Sequence, residues 1–326
     1  MADKNKAVDD YRDRSGYQAN FIANNKTLHL PDFSSVSNLF KPSIKPGSPY
    51  EIPYQNFSVI LNMKRKFPLF TACNINGSSF QDTSRKNNWR NDPRAKSFQW
   101  GSKLYSASKS DFDKGHMTRR EDPAWGNNLQ IATKADQDTF HYTNAVPQIH
   151  KLNGYTWKEL EDHVLHSGAV ANKLKISVFT GPVLDKDDPE FVTKVSGTSV
   201  LIPDRFWKVI VWDKKGKGLH AVGFVMSQKQ LLVDDGIVKK PKSVPKTVLK
   251  KRDVFENIEF KDRKSYQVSV SFIEKITGIK FNWKNVKFPF TDTRAIEIKS
   301  SRIKASTLRS VGGVRRRQIT IQNMVL

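Results

Sequence analysis

Cysteine is all but absent from this 326-residue chain, where Cys73 stands alone. An intrachain disulfide is therefore excluded, and so is a zinc centre built from several thiolates. A single thiol suits a reducing compartment, and the expected localisation is cytoplasmic. Long apolar runs are missing as well. None approaches the roughly 18 residues that a membrane-spanning helix needs. The opening MADKNKAVDDYRDRSG holds no apolar core of the signal-peptide kind. Neither membrane insertion nor signal-peptide secretion is expected. Acidic residues are scarce beside basic ones, 32 Asp and Glu against 55 Lys and Arg, for a net charge of +23. The stretch Ile298 to Leu326 has no acidic residue and carries Arg315, Arg316 and Arg317. A surplus of this size favours polyanionic partners, nucleic acid first and acidic membrane second, over a mere aid to solubility.

What is present divides into three parts. Residues 1–50 begin polar and then scatter aromatics and leucines between Pro and Ser, which predicts an arm laid on the main domain; Lys41 to Pro49 is turn and linker chemistry. Residues 51–285 carry the regular patterns, and 286–326 form a basic C-terminal tail. FSVILNM from Phe57 and LFTACNI from Leu69 read as paired strands closed by NGSS, and residues 77–110 as a long surface loop. Ala124 to Phe140 reads as helix over its middle. GYTWKELEDHVLHSG from Gly154 reads as a helix capped by Asn153 and ended at Gly168, with Trp157, Leu160 and Val164 on its core face. KISVFTGPVL, SVLIPDRFWKVIVWD and LHAVGFVMS are strand-like, QVSVSFIEKITGIKF is a strand running into a helix closed by Gly278, and residues 239–252 are a basic loop. The expected class is α+β with a central, mostly antiparallel sheet flanked by helices.

Two stretches carry chemistry. DFDKGHMTRRED, Asp111 to Asp122, concentrates His116, basic side chains and a glycine. TNAVPQIHKLNGYTWKELED, Thr143 to Asp162, adds Asn144, Gln148, Asn153 and Glu161. Hydrolysing a phosphodiester requires an activated water, neutralised phosphate charge and help for the departing oxygen. A histidine of ordinary pKa ~6.5 is suited to take the proton from water. Mg²⁺ prefers oxygen ligands and keeps several waters, so an amide carbonyl and a nearby carboxylate suffice to hold it. Asn153 and Glu161, two helical turns apart, are such a set. Each residue also has a plain reading: a surface histidine, a helix cap, a solvated charge. Their ordered combination carries the weight.

That combination resembles the DNA/RNA non-specific endonuclease family of the ββα-metal superfamily, whose signature is an Asp-Arg-Gly-His motif followed by N-x-x-P-Q-x-x-x-x-N-x-x-x-W-x-x-L-E. Here the positions are Asp113, Lys114, Gly115 and His116, then Asn144, Pro147, Gln148, Asn153, Trp157, Leu160 and Glu161. RKNNWRNDPR, TGPVL, IPDRFWKVIVW and IEKITGIKF agree as well, so the resemblance runs roughly over residues 54–285. It implies a ββα-metal nuclease fold and metal-dependent cleavage of DNA and/or RNA with little sequence preference, leaving 5′-phosphate ends. It implies His116 as general base, Asn153 as the direct ligand of a Mg²⁺ ion (Mn²⁺ as an alternative) and Glu161 as its partner through metal-bound water. Asn144 and Gln148 would support the site, Lys114 would stand at the motif's arginine, and Arg85 would clamp phosphate, with Arg90 as the competing choice. Two positions depart from the pattern. Lys114 keeps the charge of arginine without its planar fork, and Leu165 stands where the family tends to carry an arginine; His166 or Lys158 are candidates to compensate.

Three readings follow: an active endonuclease, a catalytically weak or inactive relative that binds nucleic acid, and a basic structural or membrane-surface protein. The ordered motif favours the first. A non-specific nuclease held in the cytosol would attack its own cell's genome, so regulation is expected, by a regulatory or inhibitor protein, a gating partner, assembly such as a homodimer, or delivery by a dedicated route; a regulated bacterial antiviral defence effector, a delivered toxin and an organelle enzyme with an atypical targeting segment all fit.

Overall fold

The chain enters its main sheet at Glu51–Tyr54 (β1) and reverses through Gln55 and Asn56 into Phe57–Asn62 (β2). Asn56 takes a positive φ of +68°, which asparagine tolerates better than most residues. Its side-chain amide donates to the carbonyls of Pro123 (2.9 Å) and Trp125 (3.0 Å), tying the turn to the segment that follows the site. The next strand, Phe67–Asn76 (β3), pairs antiparallel with β2 as the alternation of aromatic and β-branched residues predicts. This computed structural model describes residues 8–23, 25–42, 49–152, 156–239, 260–262, 264–302, 310–311, 314–315 and 319–326.

Beyond β3 come a short helix Ser102–Tyr105 (α1), strand Phe112–His116 (β4), helix Leu129–Asp138 (α2) and strand Ala145–Ile149 (β5). Helix Thr156–Asp162 (α3) continues without a break into a π-helical segment, His163–Val170. Strands Lys175–Pro182 (β6), Arg205–Lys214 (β7) and Gly218–Ser227 (β8) follow, then helix Lys229–Asp234 (α4), strand Ser265–Val268 (β9) and helix Val270–Thr277 (α5). Gly278 closes α5 in the left-handed conformation, φ +74°, that a C-terminal cap requires. The chain ends in short strands: Val286–Lys287 (β10), Ile296–Glu297 (β11), Lys299–Arg302 (β12), Ser310–Val311 (β13), Val314–Arg315 (β14) and Ile319–Gln322 (β15).

Among the described residues the main sheet has nine strands in the order β1-β2-β3-β6-β7-β8-β9-β11, every neighbour antiparallel, with β10 added parallel to β8. The expected mostly antiparallel α+β architecture is therefore present. Successive side chains of a strand face opposite sides, and β7 shows the consequence. Phe206 and Ile210 enter one core with Val146, Trp157 and Leu160, while Trp207, Val209 and Val211 enter the other with Phe272 and Ile273 of α5. The second core also takes Leu28 and Phe33 from the N-terminal arm. β4 and β5 form a separate antiparallel pair on the first side.

Two local expectations are revised, and one stretch gains an assignment. The loop 77–110 is not only surface: it contains α1 and buries Asp92, Arg94, Ala95 and Leu104. DKGH, given no secondary structure above, is strand, held by pairing with β5. Helical winding runs past Gly168 to Val170, because the segment widens to a π-helix. The described parts of residues 286–326 include six short strands, and Ile298 and Ile321 are buried. The basic loop predicted at 239–252 lies outside the described residues from 240 onward, as do Arg316 and Arg317.

Candidate active site

β4 and β5 set the floor of the site, with α3 following in a strand–strand–helix order. In their register Asp113 faces Gln148, Lys114 faces Pro147, and His116 faces Ala145 at the strand end. Gly115 is required by close approach: a β-carbon there would lie 2.2 Å from the Gln148 side-chain carbon Cδ. Gln148 is buried against it. Asn144 is fully buried and pins the chain just past the histidine. Its Oδ1 accepts from the Thr118 amide (2.8 Å), and its Nδ2 donates to the carbonyls of Thr118 (3.0 Å) and Thr139 (2.9 Å).

His116 sits in an aromatic box. Its ring centroid is 4.6 Å from that of Trp89 and 4.9 Å from that of Phe140, the latter edge-on at 90°. Burial drives its pKa from 6.5 down to about 3, and the charges of Arg85 and Arg120 push the same way. The ring is therefore neutral at physiological pH. Its Nε2 is enclosed and meets no hydrogen-bond partner among the described residues. Buried polar atoms are ordinarily paired, so a nitrogen left open on a neutral imidazole is poised to exchange a proton with something that enters the site.

The cations divide sharply. Arg85 is exposed, bonded through Nε to Asn87 (2.7 Å), yet close enough for its charge to act on His116. Arg90 is spent on structure, donating from Nε to His141 Nε2 (3.0 Å) and from its second guanidinium nitrogen to the Gln137 carbonyl (2.8 Å). Arg120 binds Thr83, Asp136 and Glu121. Lys114 is half-buried with its ammonium 5.6 Å from the centroid of Tyr105. Tyr105, Tyr142 and Trp89 continue as successive ring contacts toward His116.

Glu161 has its Oε1 3.3 Å from the Nζ of Lys208. Lys208 is buried on β7 and donates to Thr180 Oγ1 (3.0 Å). Arg119 is surrounded by the charges of Asp162, Glu121, Glu161 and Asp122, which hold it protonated despite its burial. Burial pushes the Asp122 carboxyl up to about 7 although Lys208 and Arg119 oppose the shift. Leu165 is wholly buried in the core, which explains why an apolar residue occupies that position. His166 Nε2 lies 3.6 Å from Glu121 Oε2, and Lys158 is exposed. Asn153 lies outside the described residues. Among the described residues no three His, Cys, Asp or Glu side chains converge to hold a metal. The carboxylates there are already in ion pairs, Glu161 with Lys208 and Glu121 and Asp162 with Arg119, which suits contact with a metal-bound water rather than direct ligation of Mg²⁺.

A family model for DNA/RNA non-specific endonucleases matches residues 35–287. The chain belongs to that family. Its members are metal-dependent nucleases, typically using Mg²⁺. The uncharacterized protein y4fB of Sinorhizobium fredii (strain NBRC 101917 / NGR234) is 33% identical over 286 residues, which is 82% of this chain. The chain spans 39% of that relative's length. A solved structure of the EndoG/EndoGI complex, described as revealing the mechanism of EndoG inhibition, matches with a TM-score of 0.51 at 19% identity, covering 74% of this chain and 89% of that one. At this identity the likeness concerns the fold, a ββα-metal nuclease architecture. No helix among the described residues is long and apolar enough to cross a membrane.

Sequence reasoning passed over Lys208, Arg120 and the aromatic box. Lys208 had a signal: it is a charge inside the apolar strand FWKVIVW, on the same face as Phe206 and Ile210. The box had none, because Trp89, His116 and Phe140 are remote from one another in the chain.

Proposed function

We propose that this nuclease hydrolyses phosphodiester bonds within DNA and/or RNA with little sequence preference, using His116 as general base. The observation that carries the proposal is the enclosed Nε2 of a neutral imidazole, without a partner among the described residues and within reach of the charge of Arg85. In the step envisaged, a water gives a proton to His116 as its oxygen forms the new bond to phosphorus. The bond to the 3′ oxygen breaks with its electron pair on that oxygen, which takes a proton from a second water, leaving a 5′-phosphate and a 3′-hydroxyl. Arg85 and Lys114 bind phosphate oxygens, Asn144 keeps the backbone beyond His116 in place, and the Trp89–Phe140 box holds the ring. Asn153 and Glu161 are proposed to hold a Mg²⁺ or Mn²⁺ ion, Glu161 through water. A divalent cation bound there supplies charge neutralisation for the phosphate and the departing oxygen. Contacts to phosphates carry no sequence information, and the +23 charge suits them.

The test is digestion of plasmid DNA and of RNA by the wild type and His116→Ala, each with EDTA, Mg²⁺ or Mn²⁺. Metal-dependent cleavage by the wild type and its loss in the folded variant are expected. Retardation of DNA on a gel with no cleavage in any metal would instead favour an inactive nucleic-acid-binding relative. We also propose a cytoplasmic enzyme restrained by an inhibitor protein or by self-association, acting as a regulated bacterial defence effector. Support for an inhibitor comes from the fold shared with a nuclease solved in complex with one.

A further inference from the structure

The wall that holds His116 has a second face, and that face is filled by the N-terminal arm. Arg90 and His141 form a parallel β-bridge, with the Arg90 amide on the Phe140 carbonyl (3.0 Å) and the Tyr142 amide on the Arg90 carbonyl (3.1 Å). Side chains alternate along extended chain. The preceding residues, Trp89 and Phe140, accordingly face the His116 ring, while Arg90 and His141 face away from it. On that far side His141 Nε2 receives two donors, Arg90 Nε at 3.0 Å and the Tyr11 hydroxyl at 2.6 Å. The His141 Nδ1–H donates to the Asp138 carbonyl (2.7 Å), which fixes the tautomer, since a carbonyl only accepts.

Two residues of the arm therefore enter this layer. Tyr11 is 3% exposed, its ring edge-on to His141 (5.4 Å between centroids), with the Arg94 guanidinium 4.2 Å from its own centroid. Arg14 is buried as a charge, its guanidinium bonded twice to the wholly buried Asp138 carboxylate, which also accepts the Gln55 amide (3.1 Å). A buried ion pair costs desolvation and holds its place only with full geometric support. Tyr11 and Arg14 both precede residue 35, where the family match begins.

We infer that Tyr11 and Arg14 of the N-terminal arm are positioning residues for His116: they fix the outer layer, His141 and Arg90, of a two-layer wall whose inner layer, Trp89 and Phe140, sets the orientation of the imidazole. Neither touches substrate. The inference rests on the proposed role of His116 for its consequence on rate, but its geometric content is independent of that role. A well-packed wall has discrete arrangements rather than a continuous range. Loosening the outer layer therefore displaces the box as a unit.

The experiment compares Tyr11→Phe, which deletes one hydroxyl, and Arg14→Met with Lys26→Ala. The last removes another anchor of the arm, the 2.9 Å ion pair with Asp213 on β7, away from the site. Steady-state cleavage, thermal unfolding and the His116 imidazole NMR signals of the substrate-free protein are read for each. Tyr11→Phe and Arg14→Met are expected to lower kcat by about 5- to 100-fold with KM near the wild-type value, the size that small misplacement of a catalytic group produces. Both should shift the His116 signals, and Lys26→Ala should do neither. Unchanged His116 signals and unchanged kcat in folded Tyr11→Phe would overturn the inference. So would an equal kcat loss in Lys26→Ala, since any loosening of the arm would then suffice. If His116→Ala proves active, the base assignment fails, while the NMR signals still decide whether the arm positions the ring.

Discussion

His116 and His141 both pack among aromatic rings, with opposite outcomes. Both rings are enclosed by aromatics: Trp89 and Phe140 around the first, Tyr11 and Tyr54 around the second. Burial lowers both pKa values, to about 3 and about 4. They differ in what their nitrogens meet. His141 is saturated, one nitrogen donating and the other accepting twice. His116 keeps an enclosed Nε2 with no partner among the described residues. Burial and a depressed pKa thus do not separate the two histidines, whereas the pairing of their nitrogens does.

The sharpest way to break this comparison is to delete each ring. His116→Ala should lower the cleavage rate by about 10²- to 10⁴-fold, the usual worth of a positioned general base. Its unfolding free energy should fall by only about 1–2 kcal/mol of packing. His141→Ala should do the reverse, costing roughly 3–5 kcal/mol, because Tyr11, Arg90 and the Asp138 carbonyl each lose a buried partner. Urea titrations beside initial rates would check both, and similar stability losses in the two variants would erase the distinction.

The pH dependence sharpens it further. The unfolded chain protonates His141 near the ordinary ~6.5, whereas the folded chain keeps it neutral to about 4. The unfolded state therefore binds more protons between these values, and stability falls as pH drops through that window, by about 3 kcal/mol from this residue. His116, held to about 3, adds to the same slope. The fall from pH 7 to pH 4.5 should be smaller in His141→Ala than in the wild type, as calorimetry at the two pH values would record.

A milder contrast separates the arginines. Arg85 is exposed beside the His116 ring, while Arg90 is bound to His141 and Gln137. Arg85→Ala should raise KM about 10-fold and leave the unfolding midpoint in place, in keeping with about 1.5–3 kcal/mol for a charged hydrogen bond. Arg90→Ala should lower the midpoint. A KM effect confined to Arg90→Ala would reverse the assignment of the phosphate clamp.

How much of this was legible beforehand depended on the distance over which each feature is determined. β2, β3, β7 and β8 are locally specified by alternating aromatic and β-branched residues, and α5 by Ser269 and Gly278 at its ends. Trp157, Leu160 and Val164 fell on the buried face that their spacing required. β4 could not be read as a strand, because Asp113, Lys114 and His116 carry no β signal and the pairing partner is β5, supplied from a distant stretch. The spacing of His116, Asn144 and Glu161 was readable as a motif. The pairing of Glu161 with Lys208 exists only once α3 packs on β7, and the box around His116 only once the loop before α1 and the end of α2 fold against β4.

The smallest expected effect concerns Lys114, which stands where the motif carries arginine. The ammonium rests over Tyr105 at 5.6 Å, at the far end of the ring contacts that lead through Tyr142 and Trp89 to His116. A guanidinium stacks better on an aromatic face and can grip a phosphate with two parallel bonds, which a point charge cannot. Lys114→Arg should therefore lower KM by about 2- to 5-fold, within the roughly 0.5–1 kcal/mol that a partly exposed cation–aromatic contact provides. kcat should stay level, since the proton transfer is assigned to His116. A fall in kcat would mean that the longer side chain disturbs Tyr105 and, through the ring contacts, the imidazole. In that case lysine would be the residue this aromatic ladder is shaped to accept, and the departure from the motif a matched one.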